Sequence, residues 1–260
     1  MTQRISPVFV SHGAPTLVLE DHPARHFLAR LGHDLPRPKG ILCVSAHWET
    51  EEPMVSTAER PETIHDFYGF PEQLYQLRYP APGAPDLARR AAGLLRAAGL
   101  PCGEDASRGL DHGAWSPLLH MYPEADIPVI QVSVQPHLGP RHHVEVGRAL
   151  APLAAEGVLL FGSGHMTHNL REMDRSGRGG ILPYAKDFQT WTNERIQSGR
   201  LDELVDYRAL SPNGVRAHPT DEHFLPLFFA LGAAPEKYRA EHLYDGIEMG
   251  ALAMDAYLFH

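Results

Sequence analysis

Cysteine is nearly absent from this chain: Cys43 and Cys102 are the only two in 260 residues, and neither belongs to a pair with metal-ligand spacing. A disulfide framework and a Cys-rich zinc module are both excluded. Long apolar runs are missing too, none approaching the roughly 18 residues that a membrane span requires. Met1–Pro7 carries no apolar stretch of the signal-peptide kind, so the expected location is the cytoplasm. Basic blocks are also lacking. With 23 Lys and Arg against 32 Asp and Glu, the formal net charge is −9, which argues against nucleic acid or an anionic membrane as partner. Charged residues at 21% and hydrophobic residues at 43% are ordinary for a globular protein, and a chain of this length can bury a sizeable core. What the chain does have is histidine, 17 in all. Any transition metal here must be held by nitrogen and oxygen.

Short apolar, β-branched runs at Pro7–Ser11, Ile41–Ala46, Ile127–Val134 and Val158–Phe161 predict buried strands of a largely parallel sheet. Helical patterns lie between them. Pro85–Gly99 opens on proline and closes on glycine, as helices do, and Pro140–Glu156 and Tyr184–Ser198 read as further helices. Ser116-Pro117 reads as cap and first turn of a short helix through His120, and Gly250–Phe259 as a final strand. The alternation predicts a single α/β domain over residues 1–260. Its central, mostly parallel but mixed sheet is flanked by helices, with a cleft at the strand ends.

The histidines fall where these runs break. His12 follows the first strand and precedes Gly13-Ala14-Pro15; His47 ends the second strand in the same manner. Imidazoles delivered from neighbouring strands to one crevice are best explained by a shared metal. In Gly162-Ser163-Gly164-His165-Met166-Thr167-His168 the G-x-S-x-G pattern of a nucleophile elbow is not met. His168 is instead read as a proton-transfer group, since imidazole titrates near neutral pH, with His165 lining the same pocket or capping local backbone. The glycines there would allow close approach of a ligand. His112 stands beside Asp111, a carboxylate that could orient it. Pro226 is tolerated only in a helix's first turn, so a helix through Leu231 starts near Glu222 or His223 and fixes His223 at the junction. Asp221 and Glu222 could be solvated charges favouring that helix N-terminus. The loop Ile64–Pro71, with His65 and three aromatics, could cover an aromatic substrate or pack on the core.

Taken together and in order, the segments SHGAP, SAHWE, IHDFYGFP, DHGAWSPL, GSGHMTHNL and HPTDEHFLPLFFALGA resemble the class III extradiol ring-cleaving dioxygenases, of the 4,5-DOPA extradiol type. The resemblance runs from His12 to about Gly232. It implies a mononuclear non-heme metal held by His12, His47 and His223, His168 as acid/base, and His112 as a second pocket histidine; His165 and His65, from their own segments, are expected near the substrate. It also implies one Fe(II) per chain and, as partners, a small catechol and O2. Three imidazoles depart from the 2-His-1-carboxylate triad usual for such iron sites and suit Zn(II) as well. Two other readings stay open: a zinc-dependent hydrolase, and a non-catalytic metal-binding protein on the same scaffold. Oligomeric state is left open.

Overall fold

The computed structural model describes residues 4–176 and 179–260. The chain runs β1 (Val8–Ser11), α1 (Pro23–Asp34), β2 (Gly40–Glu49), β3 (Met54–Ser56), α2 (Glu72–Gln76), α3 (Pro85–Ala97), β4 (Gly103–Asp105), α4 (His112–Met121) and β5 (Val129–Val134). It continues through α5 (Gly139–Leu150), α6 (Pro152–Ala155), β6 (Val158–Gly164), α7 (Pro183–Gln197), α8 (Leu201–Val205), α9 (Tyr207–Leu210), α10 (Gly214–Ala217) and α11 (Leu225–Ala233). It closes with β7 (Ala240–Tyr244), β8 (Ile247–Glu248), β9 (Leu252–Ala253) and β10 (Ala256–Phe259).

Eight strands form one sheet in the order β4-β3-β5-β2-β6-β1-β10-β7. The four expected strands are its parallel centre, β5-β2-β6-β1. Antiparallel neighbours, β3 on β5 and β10 on β1, make the sheet mixed. Side chains alternate between its faces, so each face has its own core. Phe9, Leu42 and Leu160 pack with α5, α7 and α11 on one side, while Val8, Val10, Ile41, Leu159 and Phe161 pack with α1 and α4 on the other. Both faces being covered is why these strands read as unbroken apolar runs. The result is a single α/β domain. Among the described residues no helix is long and apolar enough to cross a membrane.

The structure departs locally from the sequence reading at three places. The run expected as one helix from Pro140 breaks at Pro152, which lacks the N–H to continue α5 and opens α6 instead. The Gly250–Phe259 stretch divides into β9 and β10. And α4 starts four residues before Ser116: Asp111 is its N-cap, accepting from the Ala114 N–H at 3.2 Å, which leaves Pro117 inside the helix.

Candidate functional site

The carboxyl ends of β1, β2 and β6 lie side by side, and the cleft above them carries the histidines. His12 leaves β1 with its N–H still bonded to the Gly164 carbonyl at 3.0 Å. Gly13 then turns the chain at φ +75°, a conformation glycine adopts without strain. His47 does not end its strand, since β2 continues to Glu49 with a register shift against β5 between Val44 and Glu49. Such an irregularity re-aims side chains, and here it is pinned from below. Buried Asp111 accepts from Ser45 Oγ at 2.6 Å, Arg108 at 2.7 Å and Gln131 Nε2 at 2.8 Å. Ser45 Oγ in turn takes the His47 N–H at 3.2 Å, and Arg108 donates to the His47 carbonyl at 3.2 Å.

His223 arrives from the opposite side, two residues before α11, with Pro226 in that helix's first turn. Its carbonyl accepts the His165 N–H at 2.7 Å. A Cβ on Gly164 would stand 2.2 Å from that same carbonyl, and one on Gly162 2.3 Å from the Pro226 carbonyl. The glycines of β6 therefore admit the His223 segment, whereas the sequence reading had them admit a ligand.

The imidazoles converge through their Nε2 atoms. His47 Nε2 lies 3.2 Å from His12 Nε2 and 3.2 Å from His223 Nε2. The Nδ1 atoms of His12 and His223 are turned outward to hydrogen-bond partners, Ser163 Oγ at 3.1 Å and Glu222 Oε1 at 2.9 Å, and His47 Nδ1 lies 3.3 Å from Asp66 Oδ2. With the hydrogens on Nδ1, three Nε2 lone pairs face one another, an arrangement that a cation satisfies. Two ligands at about 2.0–2.1 Å in a tetrahedral shell stand about 3.3 Å apart, close to the separations seen. Burial, and then the field of neighbouring imidazoles, pushes His12 and His223 well below the usual histidine range and His47 down to about 4. Their neutral, ligating form is thus the resting one. The donor set fits a metal ion.

Further histidines line the same cavity of about 590 Å³. His112 gives both its N–H and Nδ1–H to Asp66, at 2.9 Å each, which aims its Nε2 inward. Burial alone would raise the Asp66 carboxyl, but the hydrogen bonds from His112 bring it down to about 2. His168 stacks on His223 with centroids 3.4 Å apart. Burial, then His165, presses it down to about 2. His165 is buried, and its Nε2 accepts the Gly13 N–H at 3.1 Å. Phe67, Phe70, Leu170, Met173 and Leu252 make the rest of the wall largely apolar, and among the described residues Arg175 is its one charged side chain.

Residues 7–253 match the family described as the catalytic LigB subunit of aromatic ring-opening dioxygenase. The chain belongs to this family. Among curated LigB-type relatives, the 4,5-DOPA dioxygenase extradiol of Beta vulgaris is 44% identical, covering 96% of this chain and 95% of its own. The Escherichia coli K12 protein of the same name is 41% identical over 96% of this chain and 93% of its own. A solved structure of an uncharacterized Escherichia coli K12 protein superposes with a TM-score of 0.86 at 37% identity, covering 99% and 100% of the two chains. The hydrolase and non-catalytic readings give way to an aromatic ring-opening dioxygenase.

In this LigB-family enzyme, six of the seven histidines singled out from sequence line one cavity: His12, His47, His112, His165, His168 and His223. His65 is not brought there. It sits behind Phe67, its ring against Tyr75 and Trp115 and its Nε2 donating to the Leu77 carbonyl at 3.1 Å. The carboxylate that orients His112 is Asp66, not Asp111. Glu222 is no free surface charge but the partner of His223 Nδ1, and Asp221 is held by Tyr207 and Arg208. Sequence reasoning had no signal for Asp66 or Ser163 as partners of the histidines, because Asp66 reaches His112 across 46 residues and Ser163 reaches His12 across 151.

Proposed function

We propose that the protein is an extradiol dioxygenase that opens the ring of a catechol with O2, using one Fe(II) per chain held by His12, His47 and His223. The observation that carries this reading is the set of three converging Nε2 atoms, with the Nδ1 of His12 and of His223 hydrogen-bonded outward and that of His47 beside the Asp66 carboxylate. When bound there, Fe(II) supplies redox coupling between a chelated catechol and dioxygen, chemistry that Zn(II) occupying the same imidazoles lacks.

The chain's own groups do the rest. Among the described residues no hydrogen-bond partner occupies either ring nitrogen of His168, and burial keeps the ring unprotonated at rest, so a nitrogen is open to accept a catechol proton and gives it back readily. His112, oriented by Asp66, presents Nε2 as a second donor or acceptor on the facing side. Because Asp66 also holds His47, one carboxylate aligns a metal ligand and a proton-transfer group together. Phe67 and Phe70 form an apolar slot for the ring and keep water from it. The cavity volume suits a catechol with a short side chain, such as the DOPA in the relatives' name. Arg175, without an ion-pair partner among the described residues, suits a carboxylate on that side chain.

Anaerobic reconstitution with Fe(II), followed by O2 uptake across a panel of catechols, tests the reading. One O2 consumed per catechol with both labelled atoms in the product is expected; label entering only from water overturns it. Zinc-loaded protein and monophenols should both be inactive.

A further inference from the structure

Pro117 and Ser163 lie on different elements and neither faces the cavity, yet they meet at one atom. In a regular helix the carbonyl of residue 113 accepts the N–H of residue 117. In α4 residue 117 is proline and has no N–H to give. The Gly113 carbonyl is buried beneath the site, so it needs another donor. Ser163 Oγ supplies it, at 2.5 Å across from β6. Residue 113 must be glycine for the approach to occur, since a Cβ there would stand 2.3 Å from Ser45 Oγ and 3.0 Å from His47.

A serine hydroxyl has one hydrogen. With that hydrogen directed to Gly113, the remaining contact of Ser163 Oγ, His12 Nδ1 at 3.1 Å, can only be one in which the hydroxyl accepts. We infer that the missing N–H of Pro117 locks His12 in its Nδ1–H tautomer through Ser163, holding the His12 Nε2 lone pair toward the other two imidazoles. Glu222 and Asp66, as carboxylates, can only accept and need no such device at His223 and His47. Ser163 is neutral and could donate, so its direction has to be imposed. Ser163 is completely buried and His12 nearly so, which leaves no water to offer an alternative. Ser163 and Pro117 are thus positioning residues. The inference rests on His12 being a ligand only for its consequence, not for the tautomer itself.

The tautomer is read directly by long-range 1H–15N correlation on metal-free, histidine-labelled protein at pH 8, with His12 assigned from a His12→Gln variant. Wild type should show Nδ1–H, and Ser163→Ala should move His12 toward the Nε2–H form. A wild-type Nε2–H signal overturns the inference even if Ser163→Ala and Pro117→Ala both fail to fold. Pro117→Ala restores a helical donor to Gly113 and frees the serine hydrogen, so His12 should become a mixture with Ser163 intact; an unchanged tautomer there removes proline from the argument. Zn(II) affinity should fall about 10–100-fold in Ser163→Ala, the usual cost of losing a ligand's outer hydrogen bond. If wild type binds no Zn(II) while the tautomer is as stated, it is the metal reading of the site that fails.

Discussion

His168 and His223 stack face to face, 3.4 Å between ring centroids, yet their surroundings separate them. His223 has its Nδ1 tied to Glu222 and its Nε2 among the converging lone pairs, whereas among the described residues His168 has neither nitrogen committed to a hydrogen bond. A fixed imidazole suits a ligand, and an uncommitted one suits proton transfer. His168→Ala should therefore cut ring cleavage by roughly 10²–10⁴-fold, the range for a lost general acid–base group. Metal content, measured by elemental analysis, should stay at the wild-type level; loss of metal would place His168 in the ligand shell instead. Arg175 gives a second expectation at this scale. Arg175→Gln should raise KM for a carboxylate-bearing catechol about tenfold and leave dopamine, which has no carboxylate, unchanged, because a partly exposed ion pair contributes on the order of 1 kcal/mol. Equal effects on both substrates would show that the arginine acts on the loop rather than on the ligand.

Between elements, glycine decides how closely backbones approach. The α5–α11 crossing needs Gly147 and Gly232, where a Cβ would stand 2.1 Å from the Phe229 and Val144 carbonyls respectively. The β6 glycines do the same for the segment bearing His223. Both kinds of contact are backbone against Cβ, so neither can be relieved by a side-chain rotation. Gly232→Ala and Gly164→Ala should each destabilise the fold by about 1–3 kcal/mol, as overpacking does. They differ in what moves. Gly164→Ala displaces the His223 carbonyl and should weaken Zn(II) binding, measured by competitive titration, while Gly232→Ala should leave that affinity near wild type. Equal affinities in the two variants would mean that the β6–His223 approach does not position the site.

For the molecule as a whole, the histidine content makes stability depend on acid. His143 and His218 are fully buried away from the converging nitrogens, each hydrogen-bonded to backbone, and burial lowers both to about 3. A group depressed in the folded state from about 6.5 binds its proton more readily when unfolded. Its contribution to stability is complete above about pH 6.5 and is lost as pH falls toward 3. Between pH 7.5 and 5.5 each should cost about 1.4 kcal/mol, one pH unit below the unfolded pKa being worth that much. Urea denaturation of the metal-stripped protein should show this fall, and His143→Gln should reduce its slope by about one proton. A stability flat over that interval would contradict the burial of both rings.

Periodicity and strand-end punctuation were enough for the parallel centre of the sheet, because strands covered on both faces must be apolar at every position. They also brought out His12 and His47 at strand ends and fixed His223 at a proline-limited helix start, all local properties of the chain, while joining the three into one ligand set came from the family resemblance. Six ordered motifs settled the family. What the chain alone did not disclose is everything that depends on a distant partner: Asp66 beneath two histidines, Ser163 behind a third, and Asp111 holding the end of β2 rather than His112. His65 failed for the same reason in reverse: Phe67 and Phe70 of its loop do line the cavity, but His65 itself is packed behind Phe67 against Tyr75 and Trp115. Hydrogen bonds of this kind have no sequence period. Backbone conformation is dictated within a few residues, but which acceptor meets which imidazole is decided only when strands and helices far apart in the chain are packed against one another.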